Sequence, residues 1–199
     1  MPITKIVSGG QTGVDRGALD AALAVGFACG GWCPGDRMAE DGPIPEKYPL
    51  MPLPNGGHRQ RTRLNVVDSD GYSSAGRAVR ISYPRPAPAS QRRDSDSPHG
   101  LASVAASMRQ YLFYEALSGG TRLTRNLCAL LKRPYVLVDA RRMSESEAVA
   151  TVAGFVEKNA IHTLNVAGPR LSGWPAGYAF SLAVVGGVIV DQGKHHANE

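Results

Sequence analysis

A chain of 199 residues with a formal net charge of +5 and 43% hydrophobic residues is long enough for one α/β domain with a sizeable core. Its opening MPITKIVSGG lacks a basic segment followed by a long apolar one, and no window reaches the roughly 18 uninterrupted apolar residues of a membrane span, so a cytoplasmic protein is expected. Three cysteines (Cys29, Cys33, Cys128), with no second Cys/His pair to complete a zinc site, point to reduced thiols rather than a disulfide framework or a metal centre.

In chain order, Thr4 to Ser8 (TKIVS) reads as a short buried strand, and Val14 to Val25 as a helix with Ala18, Leu19, Ala22 and Leu23 on one face. Thr12 and Asp15 have capping-box spacing, and Gly26 is placed to stop the helix. The stretch 73–109 is rich in Ser, Arg and Pro, with Pro84, Pro86 and Pro88 alternating, and reads as a flexible insertion. Six of its residues are Arg and two are Asp, with no Lys or Glu, so it carries +4 of the chain's +5. A basic arm for nucleic acid is one reading of it, and a solvated loop the other; nucleic acid is not the expected partner.

Beyond it, Gln110 to Tyr114 (QYLFY) reads as a strand and about Leu123 to Leu131 as a helix stopped before Pro134. Tyr135 to Asp139 (YVLVD) is the next strand. Ser144 with Glu147 then caps a helix whose Val149, Val152, Ala153 and Val156 face inward. Ile161 to Val166 is a further strand, and Ala179 to Val190 a closing helix or strand. Short apolar strands separated by helices predict a doubly wound, mainly parallel sheet in an α/β/α sandwich.

Three strands run into glycine-bearing turns: SGGQTG (Ser8 to Gly13), LSGGT (Leu117 to Thr121) and AGPR (Ala167 to Arg170). In an open parallel sheet such turns share the edge at the strands' carboxyl ends, where ligands bind. Glycines admit close backbone approach, and the N–H groups opening the next helix favour an anion. Thr12, Thr121 and Thr124 supply hydroxyls there, and Arg16 and Arg170 supply cations. Neither the dinucleotide turn nor the P-loop is intact, which disfavours nucleoside triphosphate hydrolysis. Asp15 fits a general acid or base, a ligand-orienting group, or a helix cap. Asp68 and Asp70 fit a carboxylate pair, or turn residues bonding local amides. The five histidines do not cluster, and His162 reads as a packed strand residue.

The motifs KIVSGGQTGVDRGALDAAL, GGWCPGDRMAEDGPIPEKYPL, QRTRLNVVDSDG, LSGGTRLT and LNVAGPRLS, in that order, resemble the molybdenum carrier family, the circularly permuted branch of the SLOG (lysine-decarboxylase-like, Rossmann-type) superfamily. That resemblance implies a Rossmann-like fold and a homo-oligomer. It also implies the binding, protection and delivery of molybdenum cofactor to molybdoenzymes, without turnover. Its glycine-rich anion-binding turns fall on Gly9, Gly10, Thr12 and Gly13, on Gly119, Gly120 and Thr121, and on Gly168 with Arg170; Gln11, Asp15, Arg16 and Thr124 join them as candidate ligand contacts. The superfamily also contains nucleotide hydrolases whose motif carries a catalytic Glu where Arg125 stands here. Asp15 and Glu40 are the carboxylates left for a hydrolase of nucleotides or nucleoside monophosphates, and a sensor of a nucleotide-derived signal is the third reading.

Overall fold

The computed structural model describes residues 3–69, 111–114 and 119–196. The insertion expected at 73–109 lies outside the described residues, as do Asp70, Gln110, Leu117 and Ser118.

The elements follow in the order β1 (Lys5–Val7), α1 (Val14–Ala24), β2 (Cys29–Pro34), a hairpin of β3 (Met38–Ala39) and β4 (Gly42–Pro43), β5 (Leu50–Leu53) and α2 (His58–Val67). After these come β6 (Tyr111–Tyr114), α3 (Gly119–Leu130), β7 (Val136–Asp139), α4 (Glu145–Asn159), β8 (Thr163–Ala167) and α5 (Gly177–His196). Six strands form one sheet in the order β5-β2-β1-β8-β6-β7. Every neighbouring pair is parallel, with Ile6 opposite both Cys29 and Leu164, and Leu112 opposite both Ala167 and Leu137. The expected Rossmann-like α/β/α architecture is the one observed. β1 leads outward to β2 on one side while β8 lies against its other side, so the strand order reverses at the β1–β8 seam, and that reversal opens a crevice at the carboxyl edge.

The core is built from the periodicity legible in the chain. Ile6, Leu164 and Val166 of the sheet pack with Val14, Ala18 and Ala22 of α1, Val152 and Val156 of α4, and Val184 and Val188 of α5. Each of the Val, Leu and Ile side chains among them, fully buried, contributes roughly 1.5–3 kcal/mol. Ser144 caps α4 as expected, its Oγ accepting from the Glu147 N–H while the Glu147 carboxylate accepts from the Ser144 N–H at 2.8 Å. Gly26 (φ 64°) ends α1, and the Phe27 N–H reaches back to the Ala22 carbonyl. At Gly17 the α1–α5 contact is so close that a Cβ would lie 2.4 Å from the Tyr178 carbonyl oxygen.

Several expectations are corrected. The Thr12–Asp15 capping box does not form, because Gly13 is the N-cap of α1 and the Asp15 side chain turns inward to other partners. Gly119, Gly120 and Thr121 form the first turn of α3, which therefore starts four residues before the expected Leu123. Ala179 to Val190 is helical throughout. His162 is half-buried and precedes β8 rather than lying within it. β2, the hairpin, β5 and α2 add to the elements read from the sequence. Among the described residues, no helix is long and apolar enough to cross a membrane, and no three His, Cys, Asp or Glu side chains gather as a metal site would require.

Candidate functional site

The turn after β1 is closed by its own protein. Gly13 (φ 76°) gives α1 a start that faces the loop following β8, where the Val14 N–H meets the Pro169 carbonyl at 3.3 Å. A Cβ on Gly13 would lie 2.8 Å from both Leu171 N and Pro169 O. Gly10 (φ 75°) presses on the Leu50 side chain. The Thr12 N–H donates to Gln11 Oε1 at 3.0 Å, and its hydroxyl bonds the Glu40 carboxylate. Arg16 is committed as well: its guanidinium grips both Asp41 oxygens at 2.6 and 2.8 Å and reaches the Gly10 carbonyl at 3.2 Å. That grip holds the Asp41 carboxyl below the usual carboxylate range. At the N-terminus of α1, read from the sequence as an anion cradle, the Val14 N–H, the Thr12 hydroxyl and the Arg16 guanidinium thus have protein partners.

Asp15 is 3% exposed. Its Oδ2 accepts from the Gln11 N–H and from Arg61 Nη1, each at 3.3 Å. Burial pushes its pKa up, and the Arg61 charge only partly offsets this. Arg61 comes from the second turn of α2, and its guanidinium lies against Gly9 so closely that a Cβ there would fall 1.5 Å from Nη1. Gly9 makes room for a cation. Nε of Arg61 is buried and has no hydrogen-bond partner among the described residues, an exception to the near-universal pairing of buried polar atoms.

Arg61 borders a cleft of about 790 Å³ at the carboxyl edge of the sheet. One wall is the start of α2, with His58, Arg59 and Thr62; another is the start of α3, with Gly119, Gly120, Thr121, Arg122, Leu123 and Asn126. The loop after β8, from Gly168 through Arg170 to Gly173, closes the third side, and Gln11 reaches in from the β1 turn. Two helix N-termini and four arginines therefore meet around one space, and no carboxylate is among its described lining residues.

Of the residues expected to bind a ligand, the cleft brings together Gln11, Gly119, Gly120, Thr121, Gly168 and Arg170. Gly9, Gly10, Thr12, Gly13, Asp15, Arg16 and Thr124 stand outside its lining; Thr124 donates to the Gly120 carbonyl at 3.0 Å, bracing the first turn of α3. Sequence reasoning passed over Arg59, Arg61, Arg122 and Ser172. For Arg59 and Arg61 the signal available was the arginine at every second position in HRQRTR, of which only QRTR falls within the QRTRLNVVDSDG motif.

Glu40, on the hairpin, sits behind the loop after β8. It accepts from the Ser172 N–H at 3.1 Å and from the Ser172 hydroxyl at 2.6 Å, and lies 3.4 Å from Arg170 Nε. Burial alone would raise its carboxyl; the bonds from Ser172 and Thr12, with the Arg170 charge, more than reverse this and hold it below the usual range. Elsewhere, Asp68 accepts from the Trp32 indole N–H at 2.5 Å at the end of α2. Cys33 and Cys128 are buried and Cys29 is half-buried, and none of the three is in a disulfide among the described residues.

A crystal structure described as a "putative molybdenum carrier protein", from Syntrophus aciditrophicus SB, superposes with a TM-score of 0.72 at 31% sequence identity, covering 94% of this chain and 95% of that one. No curated protein matches the chain. The model of the circularly permutated YpsA SLOG family matches residues 6–75 and 105–189, which include every described wall of the cleft. With that match over most of its length, the chain belongs to the circularly permutated YpsA SLOG family.

Proposed function

We propose that the cleft binds a phosphorylated, polyanionic small molecule, and that this ligand is molybdenum cofactor, held, protected and delivered as cargo. One observation carries the reading: Arg59, Arg61, Arg122 and Arg170 converge with the starts of α2 and α3 on one space that has no described carboxylate in its lining. A phosphate monoester and the oxygens of an oxo-molybdenum centre are hydrogen-bond acceptors, which guanidinium and helix N–H donors match. The unpartnered Arg61 Nε is a donor already desolvated on the protein's side, so an acceptor reaching it regains a hydrogen bond without a further burial cost. The cofactor's pterin supplies sulfur ligands to its metal, so the buried Cys33 and Cys128 need not ligate it.

The description of the Syntrophus protein supports this choice of ligand. Asp15 and Glu40 are engaged by Arg61, Gln11, Thr12 and Ser172. In this reading they shape the site as structural counter-charges. Delivery makes molybdoenzymes the acceptors, and we take the chain as one cytoplasmic domain acting as a homo-oligomer. The test is retention and protection of free cofactor in air, followed by the fluorescence of its oxidised pterin. Stoichiometric retention with slowed decay is expected, with both reduced in Arg61→Met. Equal decay with and without protein refutes the reading. So does release of base or phosphate from a nucleotide panel that Asp15→Asn abolishes, which is the hydrolase outcome.

A further inference from the structure

We propose that Glu40 is a positioning residue for anion binding: from behind the cleft wall it fixes three consecutive residues of the β8–α5 loop and holds Arg170 by Nε, leaving the rest of that guanidinium for the ligand. The proposal rests on the anion-binding reading of the cleft. Ser172 gives Glu40 two bonds, through its N–H at 3.1 Å and its hydroxyl at 2.6 Å. Leu171 is held at one remove, its N–H donating at 3.1 Å to Thr12 Oγ1, which itself bonds Glu40. Arg170 completes the run at 3.4 Å. The Glu40 N–H also donates to Gln11 Oε1 at 2.9 Å, so one hairpin residue touches three members of the cleft wall without belonging to it.

Geometry explains why this arrangement suits a ligand rather than the fold alone. Arg170 is 61% exposed, and an arginine so placed would sample many rotamers, each with an entropic cost on capture. A guanidinium offers five donors in a rigid fork; an ion pair at its Nε, 3.4 Å from Glu40 Oε2, narrows its orientations while the exposed group keeps donors for an anion. The carboxylate also opposes an anion by its charge, so two effects of opposite sign meet at one residue. Positioning predicts that neutralising Glu40 weakens binding; charge alone predicts that it tightens binding.

The probe is inorganic pyrophosphate, titrated by calorimetry at low salt into the full chain, Glu40→Gln, Arg170→Met, the double variant and Arg61→Met, each with its melting temperature. Glu40→Gln is expected to lose about tenfold in affinity in the parent background and almost nothing in the Arg170→Met background, a coupling of ordinary size for contacting residues. Amide exchange at Ser172, whose N–H Glu40 accepts, should rise in Glu40→Gln without ligand. Unchanged or tighter binding by Glu40→Gln overturns the proposal, as does an equal loss in both backgrounds, which would make Glu40 a prop for the fold only. Should Glu40→Gln not fold, Arg170→Lys carries the test: an ammonium lacks the planar fork that presents separate donors to Glu40 and to the ligand, so parent-like affinity overturns the proposal. Binding by the parent that Arg61→Met abolishes and Glu40→Gln leaves intact keeps the anion reading and removes this one; no binding by the parent removes both.

Discussion

Gly9→Ala adds one methyl group to a backbone that lies outside the left-handed region and accepts alanine. The obstacle is Arg61: the new Cβ would lie 1.5 Å from its Nη1 and 2.3 Å from its Cζ. Because the guanidinium ends a flexible side chain, it yields before the backbone does, and Asp15 is left 3% exposed without its counter-charge. Breaking a buried pair from one side costs about 3–5 kcal/mol. Asp15 keeps the Gln11 N–H and has a raised pKa that eases its neutralisation, so the lower end applies, about 3 kcal/mol in urea unfolding. Anion affinity should fall with it by roughly ten- to a hundredfold, the worth of one charge-assisted hydrogen bond. The decisive measurement repeats the substitution in an Arg61→Ala background. There nothing is displaced, and alanine should be neutral or stabilising by about 0.4–1 kcal/mol through the unfolded chain. An equal cost in both backgrounds refutes the reasoning.

Gly13→Ala should cost about as much but should not be rescued by Arg61→Ala, since its φ of 76° is strained for alanine and its Cβ would meet Leu171 and Pro169 backbone at 2.8 Å. A loss of about 3 kcal/mol is expected in urea unfolding, against less than about 0.5 for Gly120→Ala, which has open space around it. Burial raises the Cys128 thiol to about 12, so iodoacetamide at pH 8 should label the folded chain at half-buried Cys29 before Cys128; early labelling of Cys128 would contradict the packing of α3. Glu40 has a folded pKa below its ordinary 4.5, so its share of stability is present above that value and is lost as pH falls through the lower, folded one. Melting temperatures between pH 6 and pH 3 should therefore drop less steeply in Glu40→Gln than in the parent.

The parts of this fold that showed in the sequence are those where burial is apolar and periodic. α4 has Ser144 and Glu147 at its head and Val152 and Val156 inside, and β1, β7 and β8 are short apolar runs. The parts that did not show are those where burial is polar. α2 buries Thr62, Asn65 and Val66, so no apolar stripe marks it. Asn65 instead bonds the Trp32 N–H and carbonyl at 2.7 and 3.0 Å. β2 (CGGWCP) is masked as a strand by its glycines, yet Gly31, at φ 136°, lets the Ser8 carbonyl approach where a Cβ would stand 2.2 Å away. Pro52 hid β5, which tolerates proline because β5 is an edge strand. The glycine-bearing turns located the carboxyl edge of the sheet correctly. They did not show that Arg61 packs against Gly9 of the first turn, since that proximity depends on α2, a helix that periodicity could not reveal.

The position of β8 beside β1 has a temporal meaning. Thr4 and Lys5 bond the carbonyl of His162, and Ser8 bonds that of Val166, 158 residues further along the chain. During synthesis the first strand must wait for β8 before its second edge is covered, and an uncovered parallel edge is slow to pair and prone to wrong partners. Gly168 to Gly173, the wall that completes the cleft, emerges directly after β8. The nascent chain therefore has no complete cleft until its longest-range pairing is made, and a ligand that needs all three walls selects finished molecules over incomplete ones.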